Sequence, residues 1–124
     1  MNCIKLADIK KTFETRDDFG ESLRRVNAVD GISLSFFKNE IHAVLGENGA
    51  GKSTLMHLLT GLQVQSKGSI QFDDFFFSAE KPLNPKLALK HKIVMVHQRP
   101  LLVENLSVIE NCLIGNNTFF VTKK

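Results

Sequence analysis

Residues Gly46 to Thr54 read Gly-Glu-Asn-Gly-Ala-Gly-Lys-Ser-Thr, and no other stretch of the 124-residue chain has residue types so suited to chemistry. The segment fits the phosphate-loop pattern G-x-x-x-x-G-K-[ST], with Gly46, Gly51, Lys52 and Ser53 at the fixed places. Glycines at 46, 49 and 51 let the backbone take positive φ and approach a ligand closely. Successive backbone N–H groups can then form an anion-binding nest, reinforced by the N-terminus of a following helix. Lys52 would carry an ammonium to the β- and γ-phosphates, and the Ser53 hydroxyl could coordinate Mg²⁺.

Such a loop works only between a strand and a helix. Glu40–Leu45 before it is an apolar run of strand type, and Ser53–Leu59 after it has helical spacing, with Leu55, Leu58, Leu59 and Leu62 on one side. Around this unit the sequence predicts a strand over 2–9 followed by Phe13, a polar loop or hairpin tip over 14–25, and a strand over 29–37. The helix should stop near Gly61. A strand over 69–73, a tight turn at Asp73-Asp74 and a continuation through Phe75–Phe77 follow; three adjacent Phe cannot all face one core from a strand. Asn84-Pro85 reads as a helix start. Ile93–Val96 reads as a parallel strand buried on both faces, with His97-Gln98-Arg99-Pro100 at its end. Ser107-Val-Ile-Glu110 is a capping box, with Gly115 as a stop. The expected fold class is α/β, with an antiparallel edge layer beside the nucleotide strand.

Composition narrows the function class. Sixteen Lys and Arg against 13 Asp and Glu leave a net charge of +3, and the basic residues are dispersed without interleaved aromatics, so no nucleic-acid partner is expected. No run of eighteen apolar residues occurs, so direct membrane insertion is not expected, and the N-terminus lacks the pattern of a secretory signal. Cys3 and Cys112 form no metal or redox motif and read as a reduced pair.

The loop at 46–54, followed by Leu55-Met56, resembles the Walker A segment of ATP-binding subunits of ABC transporters. Ala28–Phe36 is similar to the strand that precedes it there, and Val96-His97-Gln98 resembles the family's Q-loop. The pattern Asn84-Pro85…Ala88…Met95–Gln98, then Leu101–Val103…Leu106-Ser107-Val108…Glu110-Asn111…Gly115, is similar to importers of simple sugars and nucleosides. Lys92 departs from it, since those relatives usually carry Gly before the buried strand.

The resemblance implies a P-loop NTPase core and an incomplete ABC ATPase domain. Residues 1–124 would be its N-terminal part, from Walker A through the Q-loop to the start of the helical subdomain, in a domain of roughly 220–250 residues. It implies ATP and Mg²⁺ as cofactors, held by Phe13, Gly46, Asn48, Gly49, Ala50, Gly51, Lys52, Ser53, Thr54 and Gln98, with Ser53 and Gln98 toward the metal. Phe13 sits where the family's A-loop aromatic stacks on adenine; its plain alternative is a core Phe, and that of Gln98 a surface amide. Glu47 and Asn48 are not phosphate ligands by side-chain type. The implied partners are membrane permease subunits and a second ATP-binding domain in a head-to-tail dimer, at the cytoplasmic, inner face of the cell membrane. The signature motif, the Walker B run ending in Asp-Glu and the switch histidine are absent from these residues. ATP binding without efficient hydrolysis is therefore the expectation. The alternatives are a truncated non-catalytic remnant or binding module and another P-loop kinase or NTPase; for a GTPase the guanine-reading Asn-Lys-x-Asp motif is missing.

Overall fold

A computed structural model describes residues 3–16, 23–98 and 102–114. Its elements are β1 (Cys3–Arg16), β2 (Leu23–Phe37), α1 (Lys52–Leu59), β3 (Lys67–Phe72), β4 (Phe75–Phe77), α2 (Pro85–Lys90) and α3 (Val108–Leu113). The tip around Asp17-Asp18 and Gly20, Arg99-Pro100, Leu101 and everything from Gly115 onward lie outside the described residues.

The four strands form one antiparallel sheet in the order β2-β1-β3-β4. β1 and β2 are longer than the sequence suggested. The segment expected as a polar loop or hairpin tip over 14–25 takes the hairpin form, its ends pairing as Glu14↔Arg25, Thr15↔Arg24 and Arg16↔Leu23, with an Arg25–Glu14 ion pair at 2.8 Å. Polar residues hid this extension because both faces of the ribbon are solvated there, so no alternation of apolar residues marks it.

A β-bulge decides which side chains of β1 enter the core. Leu6 faces Leu34 and Ile70, and strict alternation would turn Ile9 outward. The register shifts between Leu6 and Ile9, where Asp8 takes φ 47° and its N–H donates to Ser33 Oγ at 2.9 Å. The extra residue restores Ile9 to the buried side, where it joins Leu6, Val29, Ile70 and Phe72.

α1 closes this core with Leu55, Leu58 and Leu59, while Leu62 stays exposed beyond the helix end at Thr60-Gly61. Of the three Phe in β4, only Phe77 is buried; Phe75 and Phe76 are exposed. α2 begins as expected, with the Asn84 side chain accepting from Leu87 N–H and Pro85 in the first turn, and Ala88 packs inward. α3 carries the complete Ser107–Glu110 capping box.

Two strand expectations are corrected. Glu40–Leu45 and Ile93–Val96 belong to no ladder among the described residues. Ile93–Val96 is not buried on both faces: Val96 is 93% exposed and Val94 is exposed as well. Leu45 is 90% exposed. The residue types are right for buried parallel strands, but such strands need neighbours on both edges and layers on both faces. The antiparallel sheet supplies none of these.

Candidate functional site

The loop at 46–54 is shaped by its contacts with β2 and by its own lysine. A tight turn is closed by Ala50 N–H donating to Glu47 O at 3.2 Å. Gly49 has φ 83° with open space around it, so conformation alone favours glycine there. Gly51 has φ 87°, and a Cβ on it would lie 2.0 Å from the carbonyl oxygen of Ala28. Both conformation and the close pass of β2 therefore exclude a side chain at Gly51.

α1 starts immediately after Gly51, with no side-chain cap and no acidic residue in its first turn. The first helical bond is Leu55 N–H to Gly51 O at 2.9 Å, which leaves the N–H groups of Lys52, Ser53 and Thr54 without intrahelical acceptors. Those donors, with the positive end of the helix dipole, favour an anion. The Lys52 ammonium donates to Gly46 O at 2.7 Å and Glu47 O at 2.6 Å. It is thereby folded back over the loop with two of its three protons engaged. The Ser53 side chain is exposed at the mouth, and Thr54 is half-buried.

Phe13 stands on β1 opposite Val26, half-buried and outside the core cluster. The Lys11 ammonium lies 5.0 Å from its ring centroid, a cation–π arrangement. Phe13, Lys11, Glu14, Arg25, Asn27 and Ser66 line a cavity of about 800 Å³. β2 links this cavity to the loop. Val26 pairs with Phe13, and Ala28, two residues or about 6.8 Å further along the strand, is the residue that Gly51 touches. Lys10, beside the cavity wall, is held above the ordinary lysine range, first by its hydrogen bond to Asp30 and then by the Asp30 charge.

Gln98 is exposed and follows His97, whose ring lies 6.3 Å from that of His57 on α1. His57 is four residues, about 6 Å, beyond Ser53 on the helix. His97 thus stands beside α1, and no hydrogen bond among the described residues ties Gln98 to the loop.

The structure also shows positioning groups that sequence reasoning missed. Ala28 acts through its carbonyl, which no side-chain pattern reveals. Asn111 on α3 accepts from Val103 N–H at 2.8 Å and donates to Val103 O, Leu106 O and Ser107 O at 3.0–3.1 Å, pinning the loop before the helix. Its partners lie up to eight residues upstream, so nothing in the local sequence marks it. Lys92 takes φ 61°, the left-handed region. This gives a conformational reason for the glycine found there in similar sequences.

The ribose import ATP-binding protein RbsA of Bacillus subtilis is 40% identical over 114 residues, covering 90% of this chain and 20% of that protein. The D-allose import ATP-binding protein AlsA of Escherichia coli is 39% identical over 85% of this chain and 19% of its own length. The nucleoside import ATP-binding protein NupA of Lactococcus lactis is 45% identical over 72% of this chain and 17% of its own length. The chain thus spans about a fifth of these relatives. Among solved structures, a nucleotide-free ATP-binding cassette from an ABC transporter superposes with a TM-score of 0.73 at 27% identity, covering 99% of this chain and 47% of that one. A dimeric cassette bound to ADP and phosphate shares the fold, with a TM-score of 0.69 at 22% identity. Residues 29–124 match the ABC transporter family, and this chain belongs to it.

Proposed function

We propose that this chain is the phosphate-cradling part of an ATP-binding subunit that drives import of a sugar or nucleoside, and that by itself it binds ATP with little or no hydrolysis. The observation that carries this reading is the Gly46–Thr54 loop: unpaired helix N–H groups, a Gly51 that admits no Cβ, and an ammonium folded over the loop. The donor set fits ATP. Backbone N–H groups of the loop, from Gly46 through Asn48, Gly49, Ala50 and Gly51 to Thr54, would hold its phosphates with Lys52, and Phe13 would meet the base at the β1–β2 cavity. Mg²⁺ would be held by the Ser53 hydroxyl with Gln98 nearby, and would neutralise charge on the phosphates.

Hydrolysis needs a positioned water and a carboxylate base. Among the described residues the acidic side chain within the loop is Glu47, and none stands in the first turn of α1. The reading includes permease subunits and a second cassette as partners, at the inner face of the membrane.

Purified chain titrated with a fluorescent ATP analogue should bind it, and Lys52→Ala should abolish or strongly weaken the binding. Turnover of Mg-ATP should stay far below about 1 s⁻¹, the ordinary enzymatic scale. Turnover at that scale, lost on Lys52→Ala, would refute the binding-only reading. Preference for GTP, or transfer of phosphate to an acceptor, would refute the ABC-type reading of this site.

A further inference from the structure

Lys10 and Lys11 are adjacent on β1, but their ammonium groups meet different partners. Lys10 pairs with Asp30 at 2.9 Å. Lys11 has no carboxylate partner among the described residues. Its ammonium donates to Val64 O at 2.8 Å and stands over the Phe13 ring, 5.0 Å from the centroid. The other two charged residues on the cavity wall, Glu14 and Arg25, pair with each other at 2.8 Å. Lys11 is therefore the charge on that wall directed to the ring. Two residues apart on one strand, Lys11 and Phe13 share a face of the sheet.

The backbone around Lys11 is secured without its side chain. Lys11 faces Val29 and Thr12 faces Asn27, so the register slips at Ala28, which has no β1 residue opposite. Ala28 is also the residue whose carbonyl excludes a Cβ on Gly51. At this slip β1 is tied to the chain beyond α1: Ser66 N–H donates to Lys10 O at 2.7 Å, and Thr12 N–H donates to Ser66 Oγ at 3.1 Å. The Phe13 ring is a different matter. It lies outside the core cluster, so core packing does not fix it, and a cation over one face does.

We propose that Lys11 is a positioning residue for the base of the bound nucleotide: it holds the Phe13 ring by one face and leaves the other face to stack on the base. The inference rests on the function proposed above, in which Phe13 meets the base. A ring free to turn is competent to stack for only a fraction of the time, and apparent affinity falls by that fraction. The strength of a cation–π contact outside the core bounds the loss at about 2–5-fold. The phosphates are held by Lys52 and the N-terminus of α1, so this loss falls on the base alone.

The test titrates the purified chain and its variants with ATP and with inorganic triphosphate, both with Mg²⁺, by calorimetry. Lys11→Met, similar in length but uncharged, should weaken ATP binding about 2–5-fold and leave triphosphate binding unchanged. Lys11→Arg, which keeps a cation for the ring, should restore the parent affinity for ATP. In a Phe13→Ala chain, Lys11→Met should have no further effect, since no ring remains to hold. Circular dichroism checks folding; if Lys11→Met does not fold, Lys11→Gln keeps a donor for Val64 O and carries the same readouts. Three results overturn the positioning role alone: equal weakening of ATP and triphosphate by Lys11→Met, an effect that persists in Phe13→Ala, or no effect of Lys11→Met where Phe13→Ala selectively weakens ATP. Equal weakening of both ligands by Phe13→Ala would instead overturn the base-site reading, and the proposal with it.

Discussion

Lys52 holds two loop carbonyls at 2.6–2.7 Å, and this fixes its ammonium over the loop. A charge-assisted contact to a phosphate is worth about 1.5–3 kcal/mol, so Lys52→Ala should lower ATP affinity by roughly 10–100-fold. Thermal unfolding should move little, because the lysine contacts only loop carbonyls; a large fall in Tm would show that its role is structural. Phe13 lies outside the core and lines the β1–β2 cavity. Stacking is worth about 0.5–1.5 kcal/mol, so Phe13→Ala should weaken binding of ATP by roughly 2–12-fold. Inorganic triphosphate, which has no base to stack, should bind the variant and the parent equally. An equal loss for both ligands would show that Phe13 acts by shaping the loop.

At the scale of elements, three positions with positive φ separate conformation from space. Gly49 has φ 83° and open surroundings, so Gly49→Ala should cost about 1–2 kcal/mol. Gly51 adds a carbonyl 2.0 Å from the new Cβ, so Gly51→Ala should cost about 2–5 kcal/mol, or prevent folding. Urea unfolding of the two variants checks the order, and equal losses would contradict the β2 contact. Lys92 sits in the left-handed region at the exit of α2, where its Cβ is a burden. Lys92→Gly should stabilise the chain by up to about 1 kcal/mol, read by the same measurement. A loss instead would mean that the lysine side chain makes a compensating contact.

On the scale of the whole molecule, the antiparallel sheet and α1 enclose one core while apolar residues outside them stay exposed. Isolated chains should associate as concentration rises, because Leu45, Val94 and Val96 are exposed beside unpaired backbone. Light scattering over a concentration series should show growing mass, and Leu45→Lys should reduce it. A monomer at all concentrations, with a sharp thermal transition, would contradict this.

The sequence by itself determined the glycine loop and the start of α1 at its end, because that pattern is local and complete within nine residues. It also determined the caps of α2 and α3, which lie within four residues of their helices. Only the tertiary structure decided which strand-type runs became strands. Glu40–Leu45 and Ile93–Val96 have the right residues but pair with no strand among the described residues, while the polar ribbon beyond Glu14 pairs because β2 lies opposite. Register, the Asp8 bulge, the pass of Ala28 over Gly51 and the reach of Asn111 depend on residues brought together from afar. A hydrogen-bond ladder is a property of two segments, and no single stretch of sequence contains both.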